Sequence, residues 1–145
     1  MAAAPDTMSE IAELSPREAW SLLEREPNAV LIDVRTDAEW GYVGLPDLTA
    51  LGKQPLRLSW QIFPKMEVDP GFADRLVASG ITPQHHLLFL CRSGVRSLAA
   101  AKLMTERGYP HCYNITNGFE GPPDGARHRG AVSGWKHDGL PWAQG

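Results

Sequence analysis

The sequence predicts an α/β domain with a mainly parallel sheet. Two short apolar runs, at residues 29–34 and 86–90, have the length and composition of strands that are buried on both faces. Stretches with apolar residues at helical spacing lie before, between and after them, at residues 16–26, 72–80 and 97–107. Because strands that alternate with helices usually pair in parallel, this order predicts a parallel sheet flanked by helices.

The composition fits one globular domain and excludes several classes of protein. The chain has 145 residues, of which 43% are hydrophobic and 21% are charged. Two cysteines are too few for a disulfide scaffold or a four-cysteine zinc site. The net charge of −3 argues against a nucleic-acid-binding protein, which usually carries a basic surface. We therefore expect free thiols, no metal, no cofactor and no nucleic-acid partner.

Residues 1–10 are predicted to form a flexible leader. They contain neither a basic segment nor a long apolar run, so nothing in them resembles a targeting signal. The longest apolar runs of the chain are far too short to cross a bilayer. We therefore expect a cytoplasmic protein without membrane association.

The first predicted helix begins with a capping motif. Ser15 can cap it, Pro16 suits its first position, and Glu18 completes a capping box. After the strand at 29–34, Thr36 and Glu39 repeat the capping-box spacing and predict a short helix.

The middle of the chain is predicted to hold smaller elements. Residues 56–58 read as a short strand, and a helix is expected to start at Asp69 or Pro70 and end near Gly80. Several apolar residues between them are expected to pack partly buried beneath a loop: Trp60, Ile62, Phe63 and Met66.

The last third of the chain supplies the remaining predicted elements. The helix at 97–107 ends before Gly108, a residue suited to stop a helix. Residues 112–115 read as a third strand, and residues 135–142 as a short helix or turn.

Cys91 stands at the carboxyl end of a predicted strand and just before a helix. Ligands of open α/β sheets bind at this edge, and N–H groups at a helix start favour anions. Helix N-termini and arginines also lower the pKa of a cysteine below about 8.5. Ser93 and Gly94 allow the backbone to curl around an anion, while Arg92 and Arg96 add positive charge. The segment predicts a nucleophilic sulfur in an anion-binding loop.

Cys112 is predicted to be unreactive. It opens a strand and has no lysine or arginine close beside it in the sequence. A metal site is not predicted either, because no spacing of cysteine and histidine resembles a zinc motif.

Taken together, the motifs resemble those of the rhodanese family of sulfurtransferases. The resemblance covers residues 12–142 and rests on four segments in order. They are Leu31-Ile32-Asp33-Val34-Arg35 with Glu39-Trp40, the loop Cys91-Arg92-Ser93-Gly94-Val95-Arg96-Ser97, Asn117-Gly118-Phe119-Glu120-Gly121, and Gly134-Trp135-Lys136-His137-Asp138-Gly139-Leu140-Pro141.

The resemblance implies a five-stranded, mostly parallel sheet and sulfur transfer. Cys91 would take a sulfane sulfur from a donor such as thiosulfate and pass it, as a persulfide, to cyanide or a thiol, which a thiol protein could supply. The loop residues would bind the substrate and stabilise the persulfide: Arg92, Ser93, Gly94, Val95 and Arg96. Three further residues would support the loop, Asp33 and Arg35 through an ion pair, and Ser97.

The implied domain spans residues 11–145 and carries an insertion at about 122–133. This segment lies between two family motifs that usually run together. Its basic residues leave two interpretations open, a lid or donor-binding arm over the active site and a solvated loop: Arg127, His128 and Arg129.

Two other functions are compatible with parts of this pattern. Cysteine-dependent phosphatases and arsenate reductases of a related fold place one more residue between cysteine and arginine than the four found here. A rhodanese-like interaction module would be expected to lack the cysteine.

The paired arginines, Arg92 and Arg96, lead us to expect that thiosulfate, a dianion, is preferred to 3-mercaptopyruvate.

Overall fold

The computed structural model describes residues 11–36, 39–40, 44–62, 67–92, 94–116, 118–120, 134–136 and 138–143. Within these ranges the helices are α1 (Pro16–Arg25), α2 (Phe72–Ala78) and α3 (Val95–Glu106), with a 3₁₀ helix at Thr49–Leu51. The strands are β1 (Ala12–Leu14), β2 (Ala29–Asp33), β3 (Leu45–Pro46), β4 (Leu56–Arg57), β5 (Gln61–Ile62), β6 (Glu67–Val68), β7 (His86–Leu90), β8 (Cys112–Ile115) and β9 (Trp142–Ala143).

Five strands form the central sheet in the order β1-β8-β7-β2-β4, and every neighbouring pair is parallel. The predicted α/β class, with a mostly parallel five-stranded sheet, is therefore confirmed. Parallel strands place all their carboxyl ends at one edge of the sheet, and Cys91 follows β7 at that edge. Two short antiparallel pairs, β3 with β9 and β5 with β6, lie outside the central sheet.

The sheet is covered on both faces, which explains the apolar runs in its central strands. Along β7, Leu87 and Phe89 belong to one core, which continues into α2 and α3. The alternating residues Leu88 and Leu90 belong to a second core, which includes α1 and Trp135. Because a strand alternates its side chains, both sets must be apolar when both faces are buried.

The three longer predicted helices are present with adjusted ends, whereas most of the short helix predicted after Thr36 lies outside the described residues. Ser15 and Glu18 form the predicted capping box at the start of α1. The second helix begins at Phe72, later than predicted, because Asp69 and Pro70 form the turn that precedes it. The third begins at Val95, earlier than the predicted residue 97, because Gly94 takes a left-handed conformation and turns the chain into the helix.

The two ends of the described chain add strands that the sequence did not predict. The edge strand β1 pairs with β8, while β9 pairs with β3 at the end of the segment predicted as a short helix or turn. Trp60 is half-buried against Phe72, as predicted, with ring centroids 5.0 Å apart. The predicted leader and the insertion at 122–133 lie outside the described residues, as do Phe63 and Met66.

None of the helices in the described ranges combines the length and the apolar character needed to span a membrane.

Candidate active site

Cys91 lies at the carboxyl end of β7 with its sulfur held by two hydrogen-bond donors. The residue is buried, and its Sγ accepts a hydrogen bond from the backbone N–H of Gly94 at 3.0 Å. The hydroxyl oxygen of Ser97 lies 3.2 Å from the same sulfur. A sulfur between an N–H and an O–H can carry negative charge, because donors stabilise the charged form.

The loop passes directly from Cys91 into α3. Gly94 has φ 112°, a left-handed conformation that glycine adopts without strain, and among the described residues no side chain caps the helix. The first N–H groups of α3 therefore lack intrahelical partners at the end where Cys91 lies. The side chains of Arg92 and Val95 are exposed around this end of the helix. Ser93, predicted to bind substrate, lies outside the described residues.

Arg96 forms an ion pair with Glu39. Its Nη1 and Nη2 lie 2.7 and 2.9 Å from the two carboxylate oxygens of Glu39. Burial alone would raise the pKa of Glu39, but the hydrogen bonds and charge of Arg96, helped by Thr36, lower it to about 2. The bonds to Glu39 in turn raise the pKa of Arg96. The pair fixes the first turn of α3 and compensates much of the positive charge predicted there.

Asp33 and Arg35 form the predicted ion pair at the end of β2. Both side chains are fully buried, and Arg35 Nη2 lies 2.7 Å from Asp33 Oδ2. A second bond joins Arg35 Nη2 to the carbonyl oxygen of Gly44 at 2.8 Å, and the guanidinium lies over the Phe119 ring. This buried pair therefore ties the end of β2 to the residues that flank the cysteine loop.

The turn after β8 is joined to the cysteine loop by backbone hydrogen bonds. The backbone N–H of Phe119 donates to the carbonyl oxygen of Cys91 at 2.8 Å, and the backbone N–H of Glu120 donates to the carbonyl oxygen of Arg92 at 3.0 Å. Gly118 approaches so closely that a Cβ there would lie 2.3 Å from the carbonyl oxygen of Cys91. The glycine of this sequence motif is thus required by its close contact with the backbone of the cysteine loop.

Residues 134–136 and 138–143 pack against this turn. The N–H of Trp135 donates to the carbonyl of Gly118, and its indole N–H donates to the carbonyl of Pro141 at 2.7 Å. The Lys136 ammonium lies over the Trp142 ring at 3.9 Å, and burial lowers the pKa of Lys136. The C-terminal motif therefore buttresses the turn that holds Cys91.

A buried polar network extends from Cys91 to the edge of the sheet, and it joins Ser97, predicted to support the loop, to Asn114 and Glu13, which were not predicted. The hydroxyl oxygen of Ser97 lies 2.5 Å from Asn114 Oδ1, and both residues are buried. The Asn114 amide nitrogen donates to the carbonyl oxygen of Gly94 and to the carboxylate of Glu13. A polar residue in the middle of a buried strand was the available signal in the sequence, since such a group requires partners.

Cys112 occupies a different environment. It lies at the start of β8, and its thiol donates to the carbonyl of Tyr109 at 3.2 Å. Burial raises its pKa to about 11, with a small opposing effect from Thr105. At neutral pH this thiol is protonated. Among the residues that the structure describes, no cluster of three or more His, Cys, Asp or Glu side chains could hold a metal ion.

Similarity to known proteins identifies the family of this chain. A family model described as "STR4 middle domain" matches residues 12–145. Thiosulfate sulfurtransferase GlpE of Actinobacillus pleuropneumoniae is 30% identical over 115 residues, which are 79% of this chain and 89% of GlpE. The chain belongs to the rhodanese family. The resemblance inferred from the sequence motifs is thereby confirmed.

Solved structures support the same assignment of the fold. The crystal structure of Rv0390 from M. tuberculosis is 41% identical with a TM-score of 0.86, and the match covers 94% of this chain and all of Rv0390. The polysulfide-sulfur transferase homodimer of Wolinella succinogenes is 25% identical with a TM-score of 0.66, over 98% of this chain and 85% of that protein.

Proposed function

We propose that this rhodanese is a sulfurtransferase that carries a sulfane sulfur on Cys91. The Cys91 thiolate attacks the outer sulfur of a donor such as thiosulfate, and a new S–S bond forms. The S–S bond of thiosulfate breaks, and sulfite leaves with the electron pair. An acceptor such as cyanide or a thiolate then attacks the outer sulfur of the persulfide, which regenerates the Cys91 thiolate.

The observation that carries this proposal is the position of the Cys91 sulfur at the start of α3, where it accepts a hydrogen bond from the Gly94 N–H. The N–H lies 3.0 Å from Sγ, and the first turn of α3 directs further N–H groups to the same end. A persulfide places its negative charge one atom beyond Sγ, toward such donors. Backbone donors that are fixed in advance stabilise this charge without rearrangement.

The charge around the site bears on the choice of donor. The expectation of a thiosulfate preference assumed two free arginines, but Glu39 compensates Arg96 and leaves Arg92 exposed. The dianion is therefore attracted by Arg92 and by the N–H groups of α3. We propose thiosulfate as a donor preferred to 3-mercaptopyruvate, and polysulfide, the substrate in the name of the Wolinella relative, belongs in the same comparison.

The acceptor side of the reaction is open to small thiols and to a thiol protein. Arg92 and Val95 are exposed beside Cys91, so the loop lies at the protein surface. An incoming thiolate can reach a persulfide that extends outward from such a loop. Neither a metal nor an organic cofactor takes part in the proposed steps.

The test measures thiocyanate formation from thiosulfate and cyanide. Cys91→Ser is expected to lower kcat/KM by about 10³-fold or more, since the nucleophile is lost. Cys112→Ser is the matched control and is expected to retain activity. A variant Cys91→Ser with wild-type turnover would contradict the proposal, provided that thermal unfolding shows both variants to be folded.

Two parallel assays define the reaction class and the donor. Hydrolysis of p-nitrophenyl phosphate by the wild type, lost in Cys91→Ser, would favour the phosphatase alternative. Turnover with 3-mercaptopyruvate equal to or faster than that with thiosulfate would refute the proposed donor preference.

A further inference from the structure

The buried network behind Cys91 contains one hydrogen atom with two possible acceptors. The Ser97 hydroxyl lies 3.2 Å from Cys91 Sγ and 2.5 Å from Asn114 Oδ1. A serine hydroxyl donates only one hydrogen, so it can bond the sulfur or the amide oxygen but not both at full strength. Whether Cys91 is a thiol, a thiolate or a persulfide determines which of the two acceptors receives this hydrogen bond.

The Asn114 amide cannot turn around to escape this competition. Its nitrogen donates to Glu13 Oε1 at 3.0 Å and to the carbonyl oxygen of Gly94 at 3.2 Å. Both of these groups are acceptors only, so the nitrogen must face them and Oδ1 must face Ser97. Thr116 Oγ1 donates to the same Glu13 carboxylate at 2.9 Å and holds it in place.

We propose that Asn114, fixed by Glu13, is a positioning residue that competes with Cys91 for the hydrogen of Ser97. In the thiol form, Cys91 S–H can donate to the Ser97 oxygen while the Ser97 hydrogen bonds Asn114. When the thiol loses its proton, the Ser97 hydrogen turns to the sulfur, and the buried Asn114 oxygen loses its donor. Asn114 thus opposes the thiolate through Ser97.

The same competition favours a sulfur-loaded enzyme, a consequence that rests on the proposed function. In a persulfide the negative charge lies mainly on the outer sulfur, and Sγ becomes a weak acceptor. The Ser97 hydrogen then returns to Asn114, and the hydrogen bond lost in the thiolate is regained. Asn114 therefore biases the equilibrium from thiolate toward persulfide.

The test follows alkylation of Cys91 by iodoacetamide from pH 5 to 10, with the labelled peptides separated so that Cys112 is scored independently. Ser97→Ala is expected to raise the midpoint of the Cys91 profile by about one pH unit, because a donor to the thiolate is lost. Asn114→Ala is expected to lower it by about half a unit to one unit. Ser79→Ala, which removes a hydroxyl that donates to Leu76 O at the end of α2, is the control and should leave the midpoint unchanged.

Opposite shifts separate this proposal from a structural role, since general loosening of the loop would move both variants in one direction. An Asn114→Ala midpoint that is raised or unchanged overturns the proposal. In Ser97→Ala/Asn114→Ala the Asn114 effect should vanish, because its route through Ser97 is gone.

Glu13→Gln tests the same network from the exposed edge strand, where substitution does not disturb the core. The glutamine oxygen is a weaker acceptor than the carboxylate, so the variant loosens the Asn114 amide and should lower the midpoint by less than Asn114→Ala does. If this shift persists in the Ser97→Ala background, Glu13 acts by its charge alone and the proposal fails.

Three sets of charged groups near Cys91 are the same in every variant: Arg92, Arg96 with Glu39, and Asp33 with Arg35. Only Glu13→Gln changes a charge of the network. Alkylation requires no sulfur donor, so its outcome is independent of whether the chain transfers sulfur.

Discussion

The two cysteines lie at opposite ends of neighbouring parallel strands. Cys91 follows the carboxyl end of β7, and Cys112 begins β8 beside Leu87, near the amino end of β7. Both are nearly inaccessible, at 1% and 6% exposure, so burial does not distinguish them. Cys91 accepts hydrogen bonds from Gly94 and Ser97, whereas the Cys112 thiol donates one to a carbonyl oxygen. Hydrogen bonding at the two ends of the sheet, and not burial, therefore distinguishes the two cysteines.

The most severe disruption of the Cys91 end is expected from Gly118→Ala. Its Cβ would lie 2.3 Å from the carbonyl oxygen of Cys91, and the residue has φ +60°. Because a rigid backbone must move as well as adopt an unfavourable conformation, we expect a loss of about 4 kcal/mol or more in the free energy of unfolding. Gly108→Ala is the control near Cys112, where a Cβ meets open space, and should cost only about 1–2 kcal/mol in urea unfolding.

If Gly118→Ala and Gly108→Ala lost the same free energy of unfolding, the approach of Gly118 to the carbonyl oxygen of Cys91 would not be a tight contact.

Loss of the buried ion pair beside the Cys91 loop is the next largest expected effect. Arg35→Leu leaves Asp33 charged, buried and unpaired, and should cost about 3–5 kcal/mol in the free energy of unfolding. Arg75→Leu removes the arginine of an ion pair with Asp69 that is half-exposed at the arginine, and should cost less than about 1 kcal/mol. If Arg35→Leu were as mild as its control in urea unfolding, the pair would not support the loop.

Glu39→Gln tests the charge compensation at Arg96. The pKa of Glu39 is lowered to about 2, so its contribution to stability is complete above about pH 4.5 and disappears as pH falls through about 2. We expect the variant to be less stable than the wild type by about 2–3 kcal/mol at pH 7. This difference should shrink steadily between pH 4.5 and 2 in denaturant titrations, and a difference independent of pH would contradict the account.

The smallest effect is expected at the other cysteine. Cys112→Val replaces a protonated thiol by a side chain of similar size and should cost less than about 1.5 kcal/mol. Sulfur transfer should stay within about twofold of the wild type. A tenfold loss of kcat/KM in a stably folded Cys112→Val would erase the distinction between the two cysteines.

The central strands could be predicted from the sequence because burial on both faces requires continuous apolar runs. The edge strand β1 could not, since only three residues pair and Glu13 interrupts any apolar pattern. The two-residue strand β9 gives no pattern at all, and its pairing with β3 depends on residues about one hundred positions away.

In the candidate site too, some residues could be predicted from the sequence and others could not. Cys91, its loop and the Asp33–Arg35 pair could be predicted because their residues are adjacent in the sequence. The Glu39–Arg96 pair spans 57 positions and the Glu13–Asn114 contact spans 101. Such contacts depend on how the elements pack, so the sequence indicated two free arginines where the structure leaves one exposed and one paired.

The most direct test of the account is the intact mass of the protein after treatment with thiosulfate and removal of excess donor. We predict a gain of one sulfur atom that maps to the peptide containing Cys91, that is absent from Cys91→Ser, and that cyanide removes. Added sulfur on Cys112, or an unchanged mass in the folded wild type across thiosulfate, polysulfide and 3-mercaptopyruvate, would contradict the account.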